Sequence, residues 1–572
     1  MLGSPVFETA SSIDVLGEQA SEMRDPRSTP HLERLAQRAV VFDRAYAQAP
    51  LCNPSRTSLL TSRHPLYTGV FRNSDTGWAT IGADAEGPEP KLPTIVDFLK
   101  DARPEAAVVA SGGKIFHSDV NSFEKGFAEI PKHSFRRKDV LQILERLPPD
   151  SYDALRDLLN RTARGDSPHR STVQSVAALA NFSTENRTFF LAQGFSLTHV
   201  ESIYICKPSA IARQAGEANF SAPGSARLAV GAAWPLQPGR ANDTLPPIAT
   251  NPNFDLDKYL FSLSDEWRRT AVGNYFACAS DVDRLIGALV DALQVFGLSR
   301  RAAVVVHSDH GFSLGRHDRW SKYSMYESST RIPLIVAVPG GRAGREDTVV
   351  EALDIVPTIL HIWGCPRRNL GGQARRSVER SLPPPQSAFE FRGKRVYLDG
   401  SSLAEFLYEA PHPPQNPRLD YARSQLRVGV QLDDPQNGKL PGAEPAAQRT
   451  IEVVELYVRS RRHSYTITLY PRCNCQEGLA VLDEALFYTT TDPGESQNTA
   501  YSPSAARELA RVITQQNWPV GELQFLNASR NDRLAAFGRA LEAKSCGWPQ
   551  APRCTHAQFG ALGRYDNSLS RS

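Results

Sequence analysis

Cys52 stands in the stretch LCNPSRTSLLTSRHP, residues 51–65, ahead of a rigid Pro-Ser-Arg turn and an apolar, helix-like run. A thiol at the start of a helix can be a nucleophile, a structural residue or a side chain altered after synthesis, and a helix N-terminus there favours anionic groups. Asp309 and His310 leave the end of the apolar run AAVVVHS (302–308), in the block VVVHSDHGFSLGRHDRWSKYS (304–324) that also carries His317 and Lys322. A carboxylate beside an imidazole can hold a divalent cation, although an imidazole is unusual for an ion as hard as Ca²⁺. Lys114 and His117 lie in ASGGKIFH (110–117), directly after the run AAVVA (106–110). His199 lies in FFLAQGFSLTHVES (189–202), at the end of another apolar run.

These blocks need a scaffold that brings distant pieces of chain together. The runs AAVVA (106–110), TFFLAQG (188–194), AAVVVHS (302–308) and PLIVAV (333–338) are continuously apolar and read as strands buried on both faces, as in a parallel sheet. Between the second and third, residues 275–297 show apolar residues at helical spacing, with Gly297 where a C-terminal cap belongs. Residues 29–40 read as another helix, with Thr29 as cap and Pro30 at its first position. The pattern is α/β, a class that places its sites at the carboxyl ends of its strands. The proline-rich stretches 382–386 and 410–417 read as surface loops. After about residue 440 the pattern shifts to two β-like runs, IEVVELYVRSRRHSYTITLY (451–470), and a helix over 504–518. We expect an α/β catalytic unit over 1–430 and a smaller α+β unit over 440–572. Basic RSRRHS (459–464) reads as a solvated strand, with contact to an anionic sugar chain as the alternative.

The 572 residues carry a net charge of only +3, which gives no global field for nucleic acid. No run of apolar residues is long enough to span a membrane. Residues 1–12 have neither a basic nor an apolar leader segment, yet sequons stand at Asn160, Asn181, Asn186, Asn219, Asn242 and Asn527. We expect a secretory-pathway protein, lysosomal or extracellular, with more chain upstream. Cys546 and Cys554 flank a loop that a disulfide could close.

Cys52-Asn-Pro-Ser-Arg56, followed by Leu60, Thr61 and Arg63, resembles the sulfatase signature, in which the cysteine is oxidised after translation to Cα-formylglycine. ASGGKIFH resembles the second signature of that family, and the Asp309-His310 pair resembles its iduronate-2-sulfatase-like branch. The resemblance runs over roughly 14–500, with gaps near 200–260 and 365–395. Its later landmarks are EALDIVPTIL (351–360), LDGSSLAEFL (398–407) and LFYTTTDPGESQNTA (486–500). It implies an alkaline-phosphatase-like fold, a large and mainly parallel sheet sandwiched by helices.

For the site, the resemblance implies a divalent cation, usually Ca²⁺, held by Asp14, residue 52, Asp309 and His310. Arg56 would hold the aldehyde hydrate, and Lys114 and Lys322 would grip sulfate oxygens. His117 would deprotonate the spare hydroxyl and His199 would protonate the leaving alcohol. His317 matches a family histidine of less definite role. One hydrate hydroxyl would attack sulfur, and the other would then release sulfate and regenerate the aldehyde.

The sequence departs from the family at Ser62, where Gly is usual, at Leu197-Thr198, where Lys-Pro precedes the histidine, and at Ile13, where a first aspartate belongs. The implied partners are a sulfated carbohydrate or small sulfate ester and, during maturation, the formylglycine-generating enzyme. A phosphonate monoester hydrolase or phosphodiesterase and a non-catalytic sulfo-sugar-binding protein are the alternatives.

Overall fold

The computed structural model describes residues 2–5, 29–75, 92–112, 115, 117, 127–129, 137–148, 151–164, 170–195, 197–199, 265–314, 320–366, 387–408, 421–431, 450–471, 479–491 and 495. Asp14, Lys114, His317, both proline-rich stretches, Cys546 and Cys554, and the helix expected over 504–518 lie outside these residues.

In chain order the first strands are β1 Leu2–Pro5, β2 Val40–Tyr46, β3 Ala107–Ser111, β4 Ala128–Glu129, β5 Phe189–Phe195 and β6 Val304–His307. A hairpin follows, β7 Ser313–Leu314 with β8 Trp320–Ser321, then β9 Arg331–Ile332, β10 Leu334–Ala337 and β11 Gly344–Glu351. One nine-stranded sheet runs in the order β11-β2-β10-β6-β1-β5-β3-β4, with β9 paired to β2. The junctions β6-β1, β1-β5, β5-β3, β3-β4 and β11-β2 are parallel. Strand β10 is antiparallel to both of its neighbours, and β9 to β2. The apolar run PLIVAV is thus buried on both faces as expected but does not run parallel: an apolar run reports burial, not direction. Residues 2–5 pair with β5 and β6 at the centre of the sheet.

Alternate residues of each strand feed opposite faces, as the period of two requires. Phe42, Val108, Phe190 and Val305 pack with helices α2 (Cys52–Thr61) and α4 (Ile95–Ala102). Val41, Val109, Leu191 and Val306 pack with α1 (Pro30–Ala36), α6 (Asp153–Ala163), α7 (Arg170–Thr184) and α8 (Asp265–Val295). The remaining helices are α3 (Pro65–Thr68), α5 (Arg137–Arg146), α9 (Glu327–Thr330), α10 (Ile355–Trp363) and α11 (Ala404–Leu407).

Helix ends follow the sequence with one change. Gly297 takes φ 68°, and Leu298 N–H returns to the Leu293 carbonyl at 2.7 Å, closing α8. Thr29 is the N-cap residue of α1, but its side chain makes no capping bond. The buried Asp283 carboxylate of α8 does so instead, accepting from His31 N–H at 3.1 Å and Leu32 N–H at 2.7 Å.

Strands β12 Ser387–Phe391 and β13 Lys394–Leu398 form a hairpin. A separate antiparallel sheet orders β14 Tyr421–Gln431, β15 Thr450–Ser460, β16 His463–Pro471 and β17 Leu479–Tyr488. Strand β14 pairs along its whole length with β15, so the C-terminal sheet takes in residues expected to close the catalytic unit. Among the described residues no helix is long and apolar enough to cross a membrane.

Candidate active site

Helix α2 begins at Cys52, with Leu51 extended as its N-cap, and all ten of its residues are buried. Pro54 falls in the first turn, where a missing N–H costs no helical bond. The helix ends on Ser62, whose φ of 52° explains why glycine suits the position. Serine is held there because its hydroxyl donates to Leu353 O at 2.8 Å and accepts from Gly400 N–H at 3.3 Å. At the front, Asn53 Nδ2 donates to the carbonyls of Arg72 and Asp75, each at 3.0 Å, fastening the 71–75 loop beside Cys52.

The loop leaving β6 brings Asp309 and His310 against this helix. Ser55 Oγ donates to the Asp309 carbonyl, and Arg56 Nε donates to Asp309 Oδ2 at 2.8 Å. Arg56 also donates to Ile115 O at 3.1 Å, so one buried guanidinium ties the helix to two of the other blocks. The aspartate is held below the usual carboxylate range: burial opposes its charge, but Arg56 and then His310 outweigh that cost.

Four pieces of chain meet at the Cys52 sulfur. Lys322 Nζ donates to Sγ at 3.0 Å, and His310 Nε2 lies 3.2 Å from it. The side chains of His117 and His199 also hydrogen-bond it. Lys322 Nζ reaches His199 Nε2 at 3.3 Å as well. Burial alone would raise the thiol's pKa; the Lys322 ammonium, His310 and the two histidine hydrogen bonds instead bring it well below its ordinary value. The site is built to hold negative charge.

The same residues fit a cation. Cys52 Sγ, one Asp309 oxygen and a His310 nitrogen lie within 4.8 Å of one another, all buried. Asp309 Oδ1 is buried and has no hydrogen-bond partner. His310 Nδ1 lies 2.8 Å from Gly311 O, which keeps a proton on Nδ1; Nε2 is the ring atom that faces the cluster and, once deprotonated, could bind a cation. Ca²⁺ takes about six to eight oxygens. Among the described residues the cluster holds one carboxylate, so a full Ca²⁺ shell would need further ligands.

Of the residues singled out in the sequence, the structure gathers Cys52, Arg56, His117, His199, Asp309, His310 and Lys322. Asp14 and Lys114 fall outside the described residues. Sequence reading missed Asn53 and Ser55, which fasten the helix start, and Glu327, five residues past Lys322. The Pro-Ser-Arg motif was the available signal for Ser55.

Residues 13–365 match the family model described as Sulfatase. The chain is 25% identical to iduronate 2-sulfatase of Homo sapiens over 539 residues, 85% of this chain and 89% of the relative. A putative sulfatase structure from Bacteroides thetaiotaomicron matches with a TM-score of 0.55 at 18% identity, covering 90% of this chain and 92% of that one. The phosphonate monoester hydrolase of Silicibacter pomeroyi matches equally, with a TM-score of 0.55 at 21% identity over 90% and 93% of the two chains. At these identities the two structures speak for the fold alone.

Proposed function

The chain belongs to the sulfatase family and is a sulfate ester hydrolase; from that premise we propose that it acts on sulfated carbohydrate from a formylglycine made from Cys52. The observation that carries this reading is the meeting of Lys322, His117, His199 and the Asp309-His310 pair on one buried sulfur. A sulfate ester repels nucleophiles through its anionic oxygens, so its cleavage needs fixed positive charge and a positioned nucleophile.

As formylglycine hydrate, residue 52 supplies the attacking oxygen and a second hydroxyl through which sulfate is released. Asp309, His310, Asp14 and residue 52 would hold a divalent cation, which would supply further positive charge. Lys322, with Lys114, grips the sulfate oxygens. Arg56 keeps Asp309 ionised and pointed at the cluster. His117 accepts the proton of the spare hydroxyl. His199 protonates the leaving alcohol: Lys322 donates to its Nε2 here, and when the ammonium turns to sulfate, that nitrogen is released to carry a proton.

The carbohydrate assignment leans on the similarity to iduronate 2-sulfatase, which spans most of both chains. In this reading the catalytic unit is residues 1–430 and the C-terminal α+β unit 440–572, with β14 shared between them. The secretory route, to lysosome or cell exterior, is supported by the exposed sequon residues Asn181 and Asn186 and by the disulfide-bonded Cys278. The formylglycine-generating enzyme would act before the buried helix α2 closes over residue 52.

Side-by-side rates on an aryl sulfate, an aryl phosphodiester and a phosphonate monoester test the reading. We expect the sulfate to be preferred. Faster phosphodiester or phosphonate cleavage would favour the hydrolase represented among the structural neighbours, and sulfo-sugar binding without turnover on any ester would favour a binding protein.

A further inference from the structure

Lys322 sits in a turn that its own sequence does not favour. Ser321 and Tyr323 on either side have φ of 73° and 69°, a region costly for residues other than glycine. Such a turn persists only where its surroundings over-determine it. Tyr323 N–H is tied to Pro50 O at 3.3 Å, just ahead of Cys52. The stronger hold lies at α9, the helical turn that follows.

The Tyr326 ring packs on Phe487 of β17, with centroids 6.2 Å apart. The buried Glu327 carboxylate accepts from Tyr46 Oη at 2.9 Å and from Arg459 Nε of β15 at 3.0 Å. Glu327 N–H donates to Glu495 Oε2 at 2.7 Å, and the other Glu495 oxygen accepts from the Ser464 hydroxyl of β16. Burial works against the charge on Glu327, but Arg459 and Arg331 outweigh it and hold the carboxylate below its usual range.

The opposite side of α9 meets the metal loop. Gly311 N–H donates to Ser329 O at 2.8 Å, and Ser313 and Ser328 hydroxyls are 2.7 Å apart. A Cβ on Gly311 would stand 2.3 Å from Ser328 O, so the two backbones touch and cannot move independently.

We propose that Arg459 and Glu495 of the C-terminal region are positioning residues, clamping α9 so that Lys322 and the Asp309-His310 loop keep the geometry needed to grip sulfate. The C-terminal sheet is then a working part of the active site. This rests on the functional reading above for the role of Lys322. Removing Arg459 leaves the buried Glu327 with the more distant Arg331, 3.9 Å away, as its cationic partner, which weakens the hold on the turn more than loss of a surface contact would.

The test uses the full chain, produced with the formylglycine-generating enzyme. Glu495→Ala and Arg459→Leu should raise both KM for an aryl sulfate and Ki for inorganic sulfate at least tenfold, in parallel. Glu495→Gln, which can still accept from Glu327 N–H, should restore values to within about threefold of wild type. Tyr46→Phe removes one hydroxyl and little else, and should raise KM and Ki two- to fivefold if the bulkier changes fail to fold. Folded variants, or Tyr46→Phe alone, with KM and Ki unchanged would overturn the proposal. If wild type neither turns over nor binds sulfate, the functional reading fails, and hydrogen exchange decides the clamp separately. Faster exchange over 322–330 in Tyr46→Phe or Glu495→Ala supports it; unchanged exchange contradicts it.

Discussion

Lys322 Nζ lies 3.0 Å from Cys52 Sγ although 270 residues separate them in the chain. Both side chains are buried, and the ammonium is the leading influence drawing the thiol's pKa down against the effect of burial. An ammonium so placed is suited to an anionic ester held at residue 52. Lys322→Met should therefore lower kcat/KM for an aryl sulfate by about 10²-fold or more, ~2.7 kcal/mol of lost transition-state stabilisation. Lys322→Arg should recover little, because a planar fork does not replace a point charge in a closed site. Steady-state kinetics on the two variants check this; activity within threefold of wild type would remove Lys322 from the reaction.

Ser62 ends the helix that carries Cys52 in a left-handed conformation, φ 52°. Ser62→Gly relieves the backbone and loses two hydroxyl bonds, so it should change stability by no more than about 1 kcal/mol. Ser62→Val adds a β-branched side chain where φ is positive and removes the same bonds, and should cost about 2 kcal/mol or more. Urea denaturation of the three proteins measures the difference.

His64 is buried beside Arg63 and Arg423, and burial first, then those guanidiniums, hold its pKa well below the ordinary value. Glu351 Oε1 is 3.7 Å from Nε2, beyond hydrogen-bond reach, so the ring stays neutral. A depressed pKa means that the unfolded chain binds the proton that the native state refuses. His64 thus contributes stability above pH 6.5 that is lost as the pH falls below it, by up to ~1.4 kcal/mol per pH unit. His64→Gln should lose about 1–2 kcal/mol less than wild type between pH 7.5 and pH 5.0, read from denaturation curves at both. Equal losses in the two proteins would show that His64 is not the group responsible.

Much of this arrangement was legible in the sequence because it is local. The strands at 107–111, 189–195 and 304–307 are short apolar runs, and Cys52, Asp309 and Lys322 sit in compact motifs. Direction was not legible, since the apolar run of β10 is the same whether it pairs parallel or antiparallel. The central position of Leu2–Pro5 was not legible either, because four residues carry no periodicity. The Glu327 cluster was hidden by distance: Tyr46 and Arg459 are 281 and 132 residues from it, and each alone reads as an ordinary residue. The run RSRRHS shows the same effect. Arg459 is turned inward to Glu327, and Arg461 pairs with Asp347 at 3.5 Å, so charge that reads as a solvated strand is in part structural.

Turnover as proposed requires residue 52 at the reaction centre with its thiol replaced by an aldehyde. Peptide mass spectrometry across Cys52, on protein matured with the formylglycine-generating enzyme, measures that directly alongside turnover of an aryl sulfate. The expected result is an aldehyde-bearing peptide whose fraction rises in proportion to specific activity, with Cys52→Ala inactive. Full activity from protein whose residue 52 is still an unmodified thiol, or from Cys52→Ala, would contradict it.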